Sequence, residues 1–327
     1  MKKSFVAALA VGLAIAGGPA LALDRLTIGT GPSGALYNQI GTTLSALFQK
    51  ETGKPGTAQP FTGTTSYMPM VHLGEIEAGI LGGLESSDAY LGKGNYPQAM
   101  DNIRALMVVS RPAFQFFARA SDGMTSVADL AGKTVVTRYK ALAGFDQVIM
   151  AGLATAGLTE KDVKAVEMGG IVEAIDAVQD GRIDSAMVAL GIVPLRQADA
   201  SISGGVRMLT LGDNLDVVDE VPDLQAVDIE PSPAQIGVPE PIKALSFNTF
   251  LDVGASMSDD DAYNLVKVIY THWADAQAAL PALKGMKQEW MVPPRLAFPF
   301  HPGAIRFFKE VGLWTPEHDA QQAAFLN

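Results

Sequence analysis

The sequence predicts an α/β protein of two lobes, each built on a mostly parallel β-sheet flanked by helices. Segments with strand and helix periodicity alternate along most of the chain, which is typical of parallel strands joined by crossover helices. The pattern starts again near Pro112. Residues 181–187 then repeat the form of residues 74–80: a glycine turn, an acidic residue and a short apolar strand. We therefore expect residues 23–111 and 240–327 to form lobe I and residues 112–239 to form lobe II.

The first part of lobe I shows the alternation clearly. Its first helix, residues 34–50, carries apolar side chains on one stripe at the helical period. The hydroxyl residues at 64–66 are expected to cap a second helix that carries Met68, Met70 and Leu73. The expected strands are residues 25–30, residues 57–62, the apolar segment before Gly82 and Gly83, and residues 103–110.

Lobe II is expected to begin with a strand at residues 114–119. Ser126 caps a helical turn, and a strand at residues 134–137 follows it. The loop at residues 138–144 leads into the next helix. That helix is expected to end near residue 156. The remaining expected elements are a strand at 163–168, a helix at 172–180, and strands at 206–211 and 224–229.

The last third of the chain is expected to return to lobe I. Residues 231–241 are rich in proline and could form the crossing, before one strand at residues 242–251. Ser258 then caps a long helix predicted for residues 259–279, and a last helix extends through Phe308.

The first 22 residues have the pattern of a Sec-type signal peptide. Lys2 and Lys3 precede an apolar run at residues 5–16, and Ala20, Leu21 and Ala22 provide a cleavage site. The run is shorter than the ~20 residues of a membrane-spanning helix. We therefore expect an exported periplasmic protein whose mature chain starts at Leu23.

Composition excludes several classes of site. The chain contains no cysteine, which excludes disulfides, thiolate catalysis and cysteine-ligated metals. Its formal net charge of −11 argues against partners such as nucleic acid or anionic lipid. A small anion remains compatible with this charge, because distant charges are screened beyond ~8 Å.

The first glycine-rich turn has the spacing of a dinucleotide-binding turn, with Gly29, Gly31 and Gly34 between a strand and a helix. Such a site needs a carboxylate at the end of the second strand, whereas here Phe61 and Thr62 are followed by Gly63. The sequence therefore argues against NAD. Amides at a helix N-terminus still favour a carboxylate, sulfonate or phosphate group. The residues expected to contact the ligand at this turn are Ser33, Gly34, Leu36 and Tyr37.

Three further groups are candidates for the ligand site. Thr64, Thr65 and Ser66 offer hydroxyls, although they could serve only as helix caps. Glu85 follows a strand end and could accept an amine or a hydroxyl, with a helix-capping role as the alternative. Parallel sheets hold ligands at the carboxyl ends of their strands. The residues that follow the first parallel strand of lobe II are therefore candidates, although they could instead form a solvated loop. The candidates there are Arg138, Tyr139, Lys140 and Phe145.

No arrangement of residues indicates catalysis. The four histidines are scattered, and neither an HExxH motif nor a GxSxG motif is present. We therefore predict that the protein is not an enzyme and holds no catalytic residue, metal or cofactor.

Motifs spread over nearly the whole mature chain carry a family resemblance. The chain reads TIGTGPSGALYNQIG near its mature start and FHPGAIRFFKEVGLW near its end, with FTGTTSYM, GEIEAGIL, SVADLAGKTVV and DGRIDSAMVALG between them. Together these segments resemble the TAXI group of TRAP-transporter solute receptors. The resemblance implies a type II periplasmic binding protein fold, whose lobes close over a small carboxylate-type anion and deliver it to a cation-coupled TRAP permease. We expect the protein to be a monomer.

The resemblance also implies positions in the cleft for Ser33, Gly34 and Tyr37, and for the hydroxyl residues at 64–66. The chain departs from the family at residues 138–144, where members commonly have a Ser-Gly-Thr anion loop. It also departs near Gly82 and Gly83, where many members have glutamine. We therefore expect a ligand other than the usual acidic amino acids.

Three alternatives remain open at this point. An ABC-associated receptor would share the fold and the type of ligand. An exported enzyme would need an acid–base pair in the cleft, and the sequence offers no specific one. A ligand-sensing partner of a membrane kinase is the third alternative.

Overall fold

The strands form two main sheets and one separate pair in the computed structural model, which describes residues 23–94, 96–142 and 144–326. The predicted signal peptide lies outside the described residues. The strands are β1 (Leu26–Thr30), β2 (Gly56–Pro60), β3 (Ala78–Gly82), β4 (Ile103–Ser110), β5 (Ala113–Arg119), β6 (Thr134–Tyr139), β7 (Lys164–Met168), β8 (Ala186–Ala189), β9 (Val206–Met208), β10 (Gln225–Ile229), β11 (Ile242–Ser246) and β12 (Thr249–Gly254).

The helices lie mainly in the connections between these strands. They are α1 (Leu36–Thr52), α2 (Thr64–Leu73), α3 (Gly83–Leu91), α4 (Phe145–Ala154), α5 (Ile171–Gln179), α6 (Val193–Ser201), α7 (Asp216–Asp219), α8 (Asp259–Thr271), α9 (Trp273–Ala279), α10 (Pro302–Glu310) and α11 (Pro316–Leu326). Within the described part of the chain, no helix combines the length and the apolar character needed to cross a membrane.

The first main sheet has the strand order β2-β1-β3-β12-β4. β1 runs parallel to β2 and β3, whereas β12 runs antiparallel to β3 and β4. The α/β class is therefore confirmed, and the sheet is mixed because β12 enters it from the second sheet without a crossover helix.

The second main sheet has the order β10-β11-β5-β8, with β9 also paired to β5, and every one of these pairings is antiparallel. Only β6 and β7 form a parallel pair in this half of the chain as described, and a parallel bridge from Val135 to Ser185 links them to the segment before β8. The expectation of a mostly parallel sheet is wrong here. Neither β5 nor β11 belongs to a β-α-β unit, because each is joined directly to a strand of the first sheet.

Two short segments join the main sheets. Residues 111 and 112 lie between β4 and β5, and residues 247 and 248 lie between β11 and β12. The return crossing was expected in the proline-rich run at 231–241, but β11 is still paired with β10 and β5. The single strand expected at 242–251 is therefore two strands in two sheets, since its apolar run continues through the crossover at Phe247.

Buried apolar residues form two clusters, one about each main sheet. The first core contains Ile28, Ile80 and Phe250, and the second contains Phe116, Val136 and Leu245. Leu84, at the start of α3, packs into the second core although its helix follows a strand of the first sheet. The start of α3 therefore lies where the two cores meet.

The predicted caps agree with the structure in part. The hydroxyl of Ser258 accepts a hydrogen bond from the amide of Asp261 and caps α8 as predicted. The long helix expected beyond it is interrupted at His272. α2 is capped by the backbone of Gly63 and not by a hydroxyl side chain, which leaves the hydroxyl of Thr64 available for a different contact.

Candidate functional site

A cavity of about 430 Å³ lies between the two apolar cores. Residues 31–37, at the turn from β1 to α1, line it on the side of the first core. The amino-terminal ends of α4, α5 and α6 line it on the side of the second core. The crossover residue Phe247 and its neighbour Phe114 complete the lining between them.

The turn from β1 to α1 presents backbone amides to this cavity. Gly34 has a φ of 82°, in the left-handed region that favours glycine. The amide of Ala35 donates to the carbonyl of Pro32 at 3.0 Å, and the amide of Gly34 donates to Oδ1 of Asn38 at 3.2 Å. Within the described residues, the first two amides of α1, those of Leu36 and Tyr37, have no such acceptor. Amides in this position, with the positive end of the helix dipole, favour an anionic group.

Tyr37 brings a neutral hydroxyl to the cavity wall. A Cβ atom added to Gly82 would lie 3.3 Å from the Tyr37 hydroxyl and 3.0 Å from the ring of Phe247, so glycine at position 82 permits this close packing. Burial raises the pKa of Tyr37 well above its ordinary value, and the negative charge of Glu85 adds to this effect. The hydroxyl therefore stays protonated and can donate a hydrogen bond.

Glu85 places a carboxylate in the lining from the first turn of α3. Its side chain is only 6% exposed, and its Oε1 accepts hydrogen bonds from the hydroxyls of Thr64 and Tyr96, the latter at 3.3 Å. Burial and the charge of Glu85 together raise the pKa of Tyr96. The two hydroxyls hold the Glu85 carboxylate at a fixed position in the cavity wall.

Three phenylalanines form an aromatic floor. The rings of Phe114 and Phe247 stack with centroids 4.5 Å apart and an interplanar angle of 4°. The ring of Phe145 lies edge-on to both, with centroid distances of 5.2 Å to Phe114 and 6.2 Å to Phe247. This floor suits an apolar part of a ligand.

The described residues of the lining include two carboxylates and no lysine, arginine or histidine. The second carboxylate, Glu173, is exposed and accepts a hydrogen bond from the amide of Gly169 at 2.8 Å. A negative group of a ligand would therefore depend on backbone amides and hydroxyls, not on a cationic side chain.

The structure brings seven of the twelve predicted site residues together around the cavity. They are Ser33, Gly34, Leu36, Tyr37, Thr64, Glu85 and Phe145. Thr65 and Ser66 are exposed and lie outside the lining, where the Ser66 hydroxyl is 3.1 Å from that of Thr62. Which of the seven contact a ligand stays a prediction.

The placement of Arg138, Tyr139 and Lys140 in the cleft is corrected by the structure. β6 continues through Tyr139 and pairs with β7, so successive side chains point to opposite faces. Arg138 is exposed, and the buried Tyr139 hydroxyl donates to the carbonyl of Met187 at 2.8 Å. The Lys140 ammonium lies 3.3 Å from a carboxylate oxygen of Glu167. Tyr139 and Lys140 therefore make these contacts within the second half of the fold.

Sequence reasoning missed the contribution of α6 and of the crossovers. Ile192, Val193 and Gln197 line the cavity, and Pro194 in the first turn of α6 is a local signal that could have located that helix. Phe114 and Phe247 meet only because two distant strands, β5 and β11, pair side by side. No local pattern predicts that contact.

One group outside the cavity has the geometry of metal ligands. Glu51, His272 and Asp275 place ligand atoms within 4.8 Å of one another. The Lys50 ammonium lies 2.9 Å from a carboxylate oxygen of both Glu51 and Asp275. Because this ammonium already pairs with both carboxylates, the group is explained as a surface ion-pair network.

Comparisons with known proteins agree with this architecture. A family model described as the NMT1-like family matches residues 28–312. The ligand-binding component of an ABC-type import system from Staphylococcus aureus, determined with zinc bound, is 10% identical and gives a TM-score of 0.53 over 92% of this chain and 99% of that chain. The periplasmic aliphatic sulphonate binding protein SsuA from Escherichia coli is 16% identical, with a TM-score of 0.48 over 91% of each chain. At these identities the Staphylococcus aureus structure supports the fold alone.

Proposed function

The chain belongs to the NMT1-like family, and on that premise we propose that it is a periplasmic solute receptor that binds a small organic acid in the cavity between its two cores. The observation that carries this proposal is the cavity itself, whose walls combine helix-terminal amides with an aromatic floor. Its volume of about 430 Å³ is that of a typical small-molecule site.

We propose a monocarboxylate with a hydrophobic body as the ligand. Its carboxylate would accept hydrogen bonds from the amides at the start of α1 and from Tyr37, and its body would lie on Phe114, Phe145 and Phe247. A second carboxylate would have no cationic partner among the described lining residues and would lie near Glu85. Dicarboxylates and acidic amino acids are therefore expected to bind weakly.

We further propose that the two halves close over the ligand about the segments at 111–112 and 247–248. Lobe I would then comprise residues 23–111 and 248–327, since the pairing of β11 assigns residues 242–246 to the second sheet. Val172 and Val193 line the cavity and are 52% and 47% exposed. Closure would bury both side chains, so ligand binding would shift the protein towards a closed state.

Tyr37→Ala is expected to weaken ligand binding by roughly tenfold, since it removes a hydroxyl donor and a ring from the cavity wall. Arg138→Ala is the matched control and is expected to leave the affinity unchanged, because Arg138 is exposed and lies outside the lining. A thermal-shift panel of monocarboxylates, dicarboxylates and sulfonates on protein starting at Leu23 would select the ligand, and calorimetry would measure both variants. A loss of binding in Arg138→Ala with none in Tyr37→Ala would contradict this site.

We propose a TRAP-type, cation-coupled permease of the TAXI group as the partner, on the strength of the sequence motifs. The alternative is an ABC transporter, the type of import system to which the ligand-binding component from Staphylococcus aureus belongs. Uptake into membrane vesicles from the source cells, supplemented with this protein, would distinguish them. Uptake driven by a cation gradient without ATP would support the TRAP assignment, and uptake that requires ATP would support the alternative.

A further inference from the structure

The position of Glu85 narrows the class of ligand, and this inference rests on the function proposed above. Glu85 lies in the cavity lining but is almost fully buried, so its carboxylate is largely shielded from bulk water. The Thr64 and Tyr96 hydroxyls both donate to one of its oxygens and fix its position.

The charge of the cavity lining is unusual for a receptor of simple anions. Among the described residues that line the cavity, Glu85 and Glu173 are the charged side chains, and both are acidic. A ligand with only a negative group would be repelled by the shielded charge of Glu85, because charges interact strongly where water is excluded. A ligand that also carries a positive group would be attracted by it.

The cavity therefore has two ends of opposite preference. The start of α1 favours a negative group through its amides and the helix dipole, whereas Glu85 favours a donor with positive charge. The aromatic floor formed by Phe114, Phe145 and Phe247 accommodates an apolar group.

We propose that Glu85 binds the ammonium group of the ligand, and that the ligand is an amino acid with a hydrophobic side chain. Its carboxylate lies at the start of α1, and its side chain lies on the phenylalanine floor. Glu85 is then the residue that distinguishes an amino acid from the corresponding deaminated acid.

Three probes of one shape test this proposal on the unmodified protein. L-Phenylalanine carries both charged groups, 3-phenylpropanoate lacks the ammonium group, and 2-phenylethylamine lacks the carboxylate. Calorimetry is expected to give L-phenylalanine a dissociation constant at least about tenfold below that of either other probe, as for an ion pair in a shielded site. The same comparison with L-leucine, 4-methylpentanoate and 3-methylbutylamine covers an aliphatic side chain.

The outcomes separate this inference from the function on which it rests. If a deaminated acid binds as tightly as its amino acid, the inference is overturned and the organic-acid receptor stands. If an amine binds most tightly, the contact with Glu85 is supported and the proposal of an organic-acid ligand is contradicted. If none of the six probes binds while another acid of the larger panel does, the amino-acid inference is overturned alone.

Glu85→Gln provides a second test on the same probes. The glutamine side chain keeps the shape of Glu85, and its oxygen can accept hydrogen bonds from the hydroxyls of Thr64 and Tyr96. The variant is expected to lose the preference for L-phenylalanine over 3-phenylpropanoate while it still binds 3-phenylpropanoate. Glu75→Gln is the control, since Glu75 is exposed and lies outside the lining, and it is expected to keep the preference. A Glu85→Gln protein that melts cooperatively and keeps the full preference would overturn the inference. If this variant does not fold, the comparison of probes on the unmodified protein remains decisive.

Discussion

Asp223→Asn is expected to make the protein more stable than the unmodified chain at pH 8, by an amount that disappears towards pH 4. Burial raises the pKa of the Asp223 carboxyl from 3.8 to about 7, against the opposing effects of hydrogen bonds from Asn248 and of the Arg111 charge. Because this pKa is higher in the folded state, the proton stabilises the fold fully below the unfolded pKa, and this stabilisation is lost as the pH rises through about 7. The difference corresponds to roughly 4 kcal/mol.

The environment of Asp223 explains why asparagine is the informative replacement. Its carboxylate accepts hydrogen bonds from the backbone amide of Asn248, at 3.0 Å, and from the Asn248 side chain. Its φ of 64° lies in the left-handed region, which asparagine tolerates well. The variant therefore keeps the shape and the backbone conformation and removes the titration, while its NH2 group replaces one of the two oxygens that accept from Asn248.

Urea denaturation at pH 4 to 8 measures this effect, with Asp219→Asn as the control because Asp219 is an exposed residue of α7. We expect the control to follow the unmodified protein at every pH. Some pH dependence is expected to remain in Asp223→Asn, since burial also raises the pKa of Asp252. Parallel profiles for Asp223→Asn and the unmodified protein would contradict a protonated Asp223 in the folded state.

Local sequence patterns predict the helices and strands better than they predict which strands pair with one another. The strand predicted at 103–110 is β4 with the same bounds, because its apolar run is bounded by polar residues and a proline. β11 and β12 were predicted as one strand, since nothing in the residues 242–251 indicates that the chain changes sheets at Phe247 and Asn248. Strand direction in the second sheet depends on pairing between distant segments, and periodicity carries no information about it.

In the candidate site, too, local features are predicted from the sequence and contacts between distant segments are not. The turn at residues 31–37 was predicted because glycines between a strand and a helix have a local physical role. Arg138 was misplaced because β6 is two residues longer than predicted, and a short extension of a strand decides which face each side chain takes. The floor of Phe114 and Phe247 arises from a pairing between residues more than a hundred positions apart in the chain, which only the tertiary structure reveals.

Gly63→Ala is expected to raise the ligand dissociation constant by roughly thirtyfold, about 2 kcal/mol, with little change in the stability of the fold. A Cβ atom on Gly63 would lie 2.3 Å from the carbonyl oxygen of Ala141 and 3.0 Å from its Cβ atom. Gly63 caps α2 beside the first core, whereas Ala141 follows β6 in the second half of the fold. The backbone of Ala141 is held in place there, since its amide donates to the carbonyl of Gly169 at 3.1 Å. The two halves must therefore move apart to accommodate the methyl group, and the cavity between them must widen.

Gly170→Ala separates this steric effect from the general cost of replacing a glycine. Gly170 also lines the cavity and also caps a helix with an extended backbone, with φ and ψ of −168° and 178° against −178° and 171° at Gly63. A Cβ atom on Gly170 would meet no atom within 4 Å. Both variants therefore carry a similar cost at the helix cap, and only Gly63→Ala pushes the halves apart. Calorimetry with the tightest ligand of the panel should show weaker binding in that variant alone. Equal affinities in the two variants would mean that binding does not require the close approach of Gly63 to Ala141, and that the halves already lie further apart in the ligand-bound state.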